Sequence, residues 1–144
     1  SLQARLKKKA KTPTKQTLMR VLVIEDDPHI IMLYKMTIEG WNLPIDLVTA
    51  TDGFKGLIQI GAWKPDIVIT DIQMPNINGI YLLKALSQME SYNDMVVMVV
   101  SGLLKSDIDH QGGLPEGVPL FSKPIPFDKI EEIVSQFCKT KFKS

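Results

Sequence analysis

Residues 67–79 read IVITDIQMPNING, and the reading of this stretch decides the fold. Three β-branched residues, Ile67, Val68 and Ile69, run into Asp71, and Pro75, Asn76, Asn78 and Gly79 follow. A short apolar run bounded by turn residues is the pattern of a strand buried on both faces. Asp71 then stands where a buried strand gives way to a loop, the place where open α/β sheets put their chemistry. Desolvating a lone carboxylate is costly, so Asp71 has to be paired, metal-bound or protonated. The rest of the chain is read by asking what surrounds it.

Upstream, Arg20-Val21-Leu22-Val23-Ile24 reads as a strand that ends in Glu25-Asp26-Asp27-Pro28. Asp27 suits a helix N-cap and Pro28 the first helical position. The spacing predicts a helix to about residue 39, with Ile31, Tyr34 and Ile38 on one face and Gly40 as its stop. Residues 45–49 form a second strand, and Thr51-Asp52-Gly53 caps a second helix that runs to about residue 62 on Leu57, Ile58 and Ile60. Trp63-Lys64-Pro65 closes that helix and feeds the Asp71 strand. Beyond Gly79, Ile80, Leu82, Leu83 and Leu86 recur at helical spacing as far as Ser91. Residues 95–100 are a fourth buried strand ending at Ser101-Gly102. Residues 103–117 are weakly patterned, and Gly112, Gly113, Pro115 and Gly117 argue against a long helix there. Residues 118–122 make a fifth strand before Lys123-Pro124. Phe127, Ile130, Ile133, Val134 and Phe137 mark a last amphipathic helix to about residue 141. Five β-α alternations imply a parallel sheet with right-handed crossovers and helices on both faces.

At 144 residues the chain suits one domain with a sizeable core. Its net charge of +1 conceals an uneven distribution. Residues 1–20 hold seven of the 17 Lys and Arg and no acid, whereas the remainder carries all 16 acids. Residues 1–18 therefore read as a basic extension or linker and residues 19–144 as the domain. The extension invites nucleic-acid contact, since such runs neutralise phosphates, but it has no interleaved aromatic residue and reads better as a solvated tether. One cysteine, Cys138, rules out an internal disulfide and fits a reducing, cytoplasmic setting. No apolar run approaches the roughly 20 residues of a membrane span. His29 and His110 lack partners at ligand spacing, and the Met and Trp residues read as packing. Gly79 reads as a loop residue that serves the backbone before the third helix.

In a parallel sheet the C-terminal ends of the strands share one rim. Those ends are Glu25 and Asp26 after the first strand, Asp71 after the third, Ser101 after the fourth and Lys123 after the fifth. Two carboxylates about 5 Å apart at an effective dielectric near 20 repel by roughly 3 kcal/mol. Three cannot all stay ionised without a cation. An acidic, all-oxygen site suits Mg²⁺, which keeps several waters and leaves room for a phosphate. Lys123 offers a point charge for a phosphoryl oxygen, and Ser101 a hydroxyl donor. The set is that of a phosphoryl-transfer site with Asp71 as nucleophile.

VLVIEDDP, PDIVITDIQMPNING, VVMVVSG and FSKPI, in that order, resemble the receiver domains of two-component response regulators over about residues 20–141. The resemblance implies a flavodoxin-like, doubly wound five-stranded parallel sheet of order 2-1-3-4-5 with about five helices, although Gly112-Gly113 degrade the usual fourth here. It implies that Asp71 accepts a phosphoryl group from the phosphohistidine of a histidine kinase or histidine phosphotransfer protein. Asp26, Asp71 and the backbone carbonyl of Gln73 would bind Mg²⁺, with Glu25 acting through water. Ser101 and Lys123 would meet the phosphoryl group, Lys123 preceding a proline often joined by a cis peptide. The chain would be a signalling phosphoacceptor, not a turnover enzyme, and an output partner would read residues 103–141. One departure stands out. Family members commonly carry Tyr or Phe three residues before the lysine, where this chain has Leu120; Phe121 follows on the opposite face of the strand. A receiver-like interaction module with altered or lost phospho-switching is therefore the main alternative. A Mg²⁺-dependent phosphohydrolase is the weaker one, because Gln73 stands where a second acid would help and no general base is evident.

Overall fold

The computed structural model describes residues 1–3 and 18–142, so the reading of the basic extension lies almost wholly outside the described residues. Five strands form the main sheet: β1 (Met19–Ile24), β2 (Ile45–Ala50), β3 (Ile67–Thr70), β4 (Val96–Ser101) and β5 (Leu120–Ser122). Their order is β2-β1-β3-β4-β5 and every pair is parallel. Five helices connect them: α1 (Pro28–Glu39), α2 (Gly53–Trp63), α3 (Gly79–Ser87), α4 (Lys105–His110) and α5 (Phe127–Lys141). This is the parallel sheet covered on both faces that the alternation of elements implied, in the flavodoxin-like order that the family resemblance implied.

Strand periodicity sorts the core into two layers. Leu22, Ile24, Val68, Val97 and Val99 point to one face, where they meet Ile60 of α2, Ile80, Leu83 and Leu86 of α3 and Ile108 of α4. Val21, Val23, Ile67, Ile69, Met98 and Val100 point to the other, against Tyr34 and Ile38 of α1 and Ile130, Val134 and Cys138 of α5. β3 is central and buried on both sides, as its unbroken apolar run required. Leu120 belongs to the first layer and Phe121 to the second, so the two residues do face opposite ways.

The helix starts follow their caps. Asp27 Oδ1 accepts from the His29 N–H at 2.8 Å, and Asp52 Oδ1 from the Lys55 N–H at 2.7 Å. α2 ends at Lys64, whose φ of 54° turns the chain before Pro65. Several expectations need correction. α3 stops at Ser87, whose hydroxyl donates to the Lys84 carbonyl at 2.6 Å, and a separate 3₁₀ turn (Glu90–Asp94) follows in place of further α-helix. β5 begins at Leu120, because Pro119 has no N–H to give the ladder, although its carbonyl accepts from Val99. Ile58 is exposed: with Gly53, Gly56 and Ile60 turned inward, its position falls on the solvent side of α2. Met32, Met36 and Met89 are exposed as well. The fourth helix is a six-residue piece closed by Gly112 and Gly113 at φ 106° and 75°, conformations that favour glycine.

At the N-terminal rim, Asp66 Oδ2 accepts from the Arg20 N–H at 2.8 Å and from Lys141 Nζ at 2.7 Å. One carboxylate thus ties the start of β1, the entry to β3 and the end of α5 together. Among the described residues no helix is long and apolar enough to cross a membrane.

Candidate functional site

The opposite rim carries the chemistry. The Asp71 N–H donates to the Ile24 carbonyl at 3.1 Å, which continues the β1–β3 ladder one residue past β3 and fixes the backbone there. The carboxylate is held at both oxygens. Oδ1 accepts from the N–H groups of Ile72 at 2.7 Å and Gln73 at 2.9 Å, and Oδ2 accepts from Lys123 Nζ at 2.8 Å. Thr70 next door satisfies its own buried hydroxyl on the Asp71 carbonyl at 2.7 Å.

The loop after Asp71 is more ordered than a Pro/Asn/Gly cluster suggests. Gln73–Met74 and Ile77–Asn78 pair as a two-residue antiparallel ladder. Pro75 followed by Asn76 at φ 74° is the residue pair that a type II turn uses. Asn78 then caps α3, its Oδ1 accepting from the Ile80 N–H at 2.9 Å. Gly79 opens that helix without a positive φ. Its need is space, because a Cβ there would stand 2.5 Å from Ile72 Cα and 2.8 Å from the Ile72 carbonyl oxygen. The glycine lets α3 press against the backbone whose N–H groups hold Asp71.

Glu25 is 3% exposed and Asp71 5%. The Glu25 N–H donates to the Ala50 carbonyl, its Oε1 accepts from the Asp27 N–H at 3.2 Å, and its Oε2 lies 3.3 Å from Lys123 Nζ. Lys123 thus bridges two buried carboxylates while its own side chain keeps about a quarter of its surface in solvent. The Lys123 N–H donates to the Ser101 carbonyl at 3.0 Å, and the Lys123-Pro124 bond is cis, as the resemblance implied. Strand parity explains the convergence: Glu25, Asp71 and Lys123 continue the alternation of Val23, Ile69 and Phe121, all in the α1/α5 layer.

The other two rim residues stand differently. Ser101 is fully buried, and its Oγ accepts from the Leu103 N–H at 3.1 Å. No hydrogen bond among the described residues joins that hydroxyl to Asp71 or Lys123. Asp26 is exposed, and its carboxylate makes no ion pair among the described residues. Asp27 is the cap of α1, as read from the sequence.

Burial pushes the Glu25 carboxyl upward from its ordinary 4.5, and the neighbouring Asp71 charge adds to this; the Asp27 N–H and Lys123 pull only partly back. For Lys123, burial pulls downward, but the hydrogen bond and charge of Asp71, with Glu25 behind them, prevail and raise it above 10.5. A native titration raised above the unfolded one means that the folded state holds the proton more tightly. Glu25's contribution to stability is therefore complete below pH 4.5 and is lost as pH rises through its raised native value. Glu25→Gln is accordingly expected to gain stability relative to wild type as pH rises above about 4.5, measured by urea unfolding from acid to neutral pH. A difference that stays flat with pH would contradict the assignment. Lys123 contributes at every pH below 10.5, and its contribution is lost only as pH rises through its raised native value.

The donor set fits a hard dication. It is all oxygen, with two buried carboxylates on a single ammonium and a third acid, Asp26, exposed on the same rim. Among the described residues, no three Asp, Glu, His or Cys side chains are gathered into a ready-made cage, since Lys123 occupies the space between Glu25 and Asp71. Mg²⁺ does not require such a cage; it binds through one or two carboxylates and retains waters.

Sequence reasoning missed two features. The pair of N–H groups on Asp71 Oδ1 depends on loop conformation and has no residue signature. Tyr34 was read as a plain core position, although a tyrosine between Ile31 and Ile38 signals a polar tip that needs a destination.

Comparison with known proteins agrees with this fold. A family model described as the response regulator receiver domain matches residues 21–135. The transcriptional regulatory protein TrcR of Mycobacterium tuberculosis is 27% identical over 121 residues, covering 82% of this chain and 43% of its own length. The transcriptional regulatory protein PrrA of the same organism is 33% identical over 102 residues, covering 70% of this chain and 41% of its own. The chain thus spans under half the length of these curated relatives. Among solved structures, the receiver domain of the Francisella response regulator 1452 superposes with a TM-score of 0.68 at 29% identity, covering 84% of this chain and 97% of that one. A signal receiver domain of an HD-domain-containing protein from Pseudomonas fluorescens reaches 0.73 at 17% identity, covering 88% and 99%, a likeness of fold.

Proposed function

The chain belongs to the response regulator receiver domain family, the phosphoacceptors of two-component signalling, and from that premise we propose that Asp71 is its phosphoacceptor. The observation that carries the reading is the contact of Lys123 Nζ with both Asp71 Oδ2 and Glu25 Oε2. A cation that bridges two buried carboxylates at the end of a central strand is placed to follow negative charge as it moves.

The residues divide the work as follows. The Ile72 and Gln73 N–H groups fix Oδ1, so Oδ2 is the oxygen free to attack once the ammonium shifts. The phosphorus–nitrogen bond of a phosphohistidine, on a histidine kinase or histidine phosphotransfer protein, breaks as the Oδ2–phosphorus bond forms. The imidazole leaves with the electron pair and takes up a proton. Asp26, Asp71 and the Gln73 carbonyl are the residues that would hold Mg²⁺, with Glu25 acting through water; the ion when bound supplies charge neutralisation at the transferring phosphoryl oxygens. Lys123 passes from the Asp71 carboxylate to a phosphoryl oxygen, and Ser101, whose Oγ accepts from the Leu103 N–H, has its own O–H to donate to the phosphoryl group. Phosphorylation replaces one negative charge at Asp71 with about −1.5 to −2. The shift would be read by an output partner on residues 103–141, and a coupling of about 1–3 kcal/mol would change its affinity 5–150-fold.

The experiment is incubation with acetyl phosphate in the presence of Mg²⁺ or of a chelator, followed by intact-mass measurement. One added phosphoryl group with Mg²⁺, and none with chelator, is expected. No mass gain under either condition would overturn the reading.

A further inference from the structure

The buried face of α1 carries Ile31, Tyr34 and Ile38, and only Tyr34 has a polar tip. Tyr34 is 3% exposed, and its ring meets Phe127 edge-on, the centroids 5.4 Å apart and the planes at 76°. Phe127 is the first residue of α5 and stands four positions after Lys123. The connection between them is short and stiff. Pro124 and Pro126 restrict its φ angles, the Phe127 N–H donates to the Ile125 carbonyl at 2.9 Å, and the Lys123 N–H is tied to Ser101. Ile125 and Phe121 pack into the same layer as Tyr34. Burial foremost, and then the Glu25 and Asp71 charges, push the Tyr34 hydroxyl upward, so the phenol lies within the field of both site carboxylates and stays protonated.

We propose that Tyr34 is a positioning residue for phosphoryl transfer at Asp71: by seating Phe127 it fixes residues 123–127 and so aims the Lys123 ammonium. The inference rests on Asp71 being the phosphoacceptor. It also gives the displaced aromatic a consequence. With Leu120 packed in the α2/α3/α4 layer, Phe121 shares the α1/α5 layer with Tyr34 and Phe127.

The test measures the initial rate of phosphoryl uptake by the full chain against acetyl phosphate concentration, in Mg²⁺. Tyr34→Leu is expected to lower the maximal rate about fivefold or more, with a smaller change in the half-saturating concentration. Tyr34→Phe, which keeps the ring, should stay within about twofold of wild type. In a Lys123→Ala background the Tyr34→Leu change should cost less than about twofold, because the group it positions is gone. Phe127→Leu removes the same contact from the other side and decides the matter if Tyr34→Leu does not fold. Wild-type rates in whichever leucine variants fold, or full additivity with Lys123→Ala, would overturn the inference alone. A wild-type chain that takes up no phosphoryl group removes the Asp71 reading and this inference together.

Discussion

Lys123→Ala is expected to slow phosphoryl uptake at Asp71 by about 100-fold, the scale on which loss of one preorganised charge donor acts. The ammonium sits 2.8 Å from Asp71 Oδ2 and 3.3 Å from Glu25 Oε2, so its removal has two effects. Developing charge on the phosphoryl oxygens loses its nearest protein cation. Glu25 and Asp71 also face each other without an intervening positive charge, which moves Glu25 further in the direction burial already pushes it. Loss of one partner from a fully buried pair costs about 3–5 kcal/mol, but Lys123 is a quarter exposed and solvent reduces this to about 1–2 kcal/mol. Rates from intact-mass time courses and stabilities from urea unfolding check both parts. A variant within about threefold of the wild-type rate would show that Lys123 does not serve the transfer.

Asp71→Asn is expected to take up no phosphoryl group and yet to fold. An asparagine Oδ1 still accepts from the Ile72 and Gln73 N–H groups, so the loop keeps its anchor. What disappears is the nucleophile and one of two crowded negative charges. Lys123 then has Glu25 as its only carboxylate partner, and Glu25 moves back toward its ordinary range because the like charge beside it is gone. The change in stability should be small, about 1 kcal/mol or less, because one charged hydrogen bond is lost and one repulsion relieved. The checks are intact mass after acetyl phosphate treatment and the urea midpoint. Uptake at the wild-type level in Asp71→Asn would place the phosphoryl group elsewhere.

Most of the fold was legible because local patterning and topology agree. The unbroken run Ile67-Val68-Ile69, bounded by turn residues, reads as a doubly buried strand, and the β-α alternation around it left a parallel sheet as the natural solution. Asp27-Pro28 and Asp52 announced two helix starts through their chemistry, and both caps are made. The ends of elements were harder to read. The end of α3 depends on a serine hydroxyl that turns back on the Lys84 carbonyl, and the start of β5 depends on how Pro119 meets β4. Exposed Ile58, Met32 and Met36 show the limit of hydrophobicity as a guide, since apolar side chains also occupy solvent-facing helix positions.

The site divides in the same way. Glu25, Asp71 and Lys123 were predictable from the strand-end rule and the requirement that buried carboxylates find a cation, and the structure brings these three into contact. Ser101 and Asp26 sit on the rim at the anticipated positions, but their side chains engage the Leu103 N–H and solvent. Tyr34 was hidden because helical periodicity assigns it to the core without saying what its polar tip faces.

The most direct measurement is peptide mapping of the wild-type chain after acetyl phosphate and Mg²⁺, with the acyl phosphate trapped by borohydride reduction. The account predicts one reduced residue, Asp71. A label on Asp26, Glu25 or a residue away from this rim would contradict it.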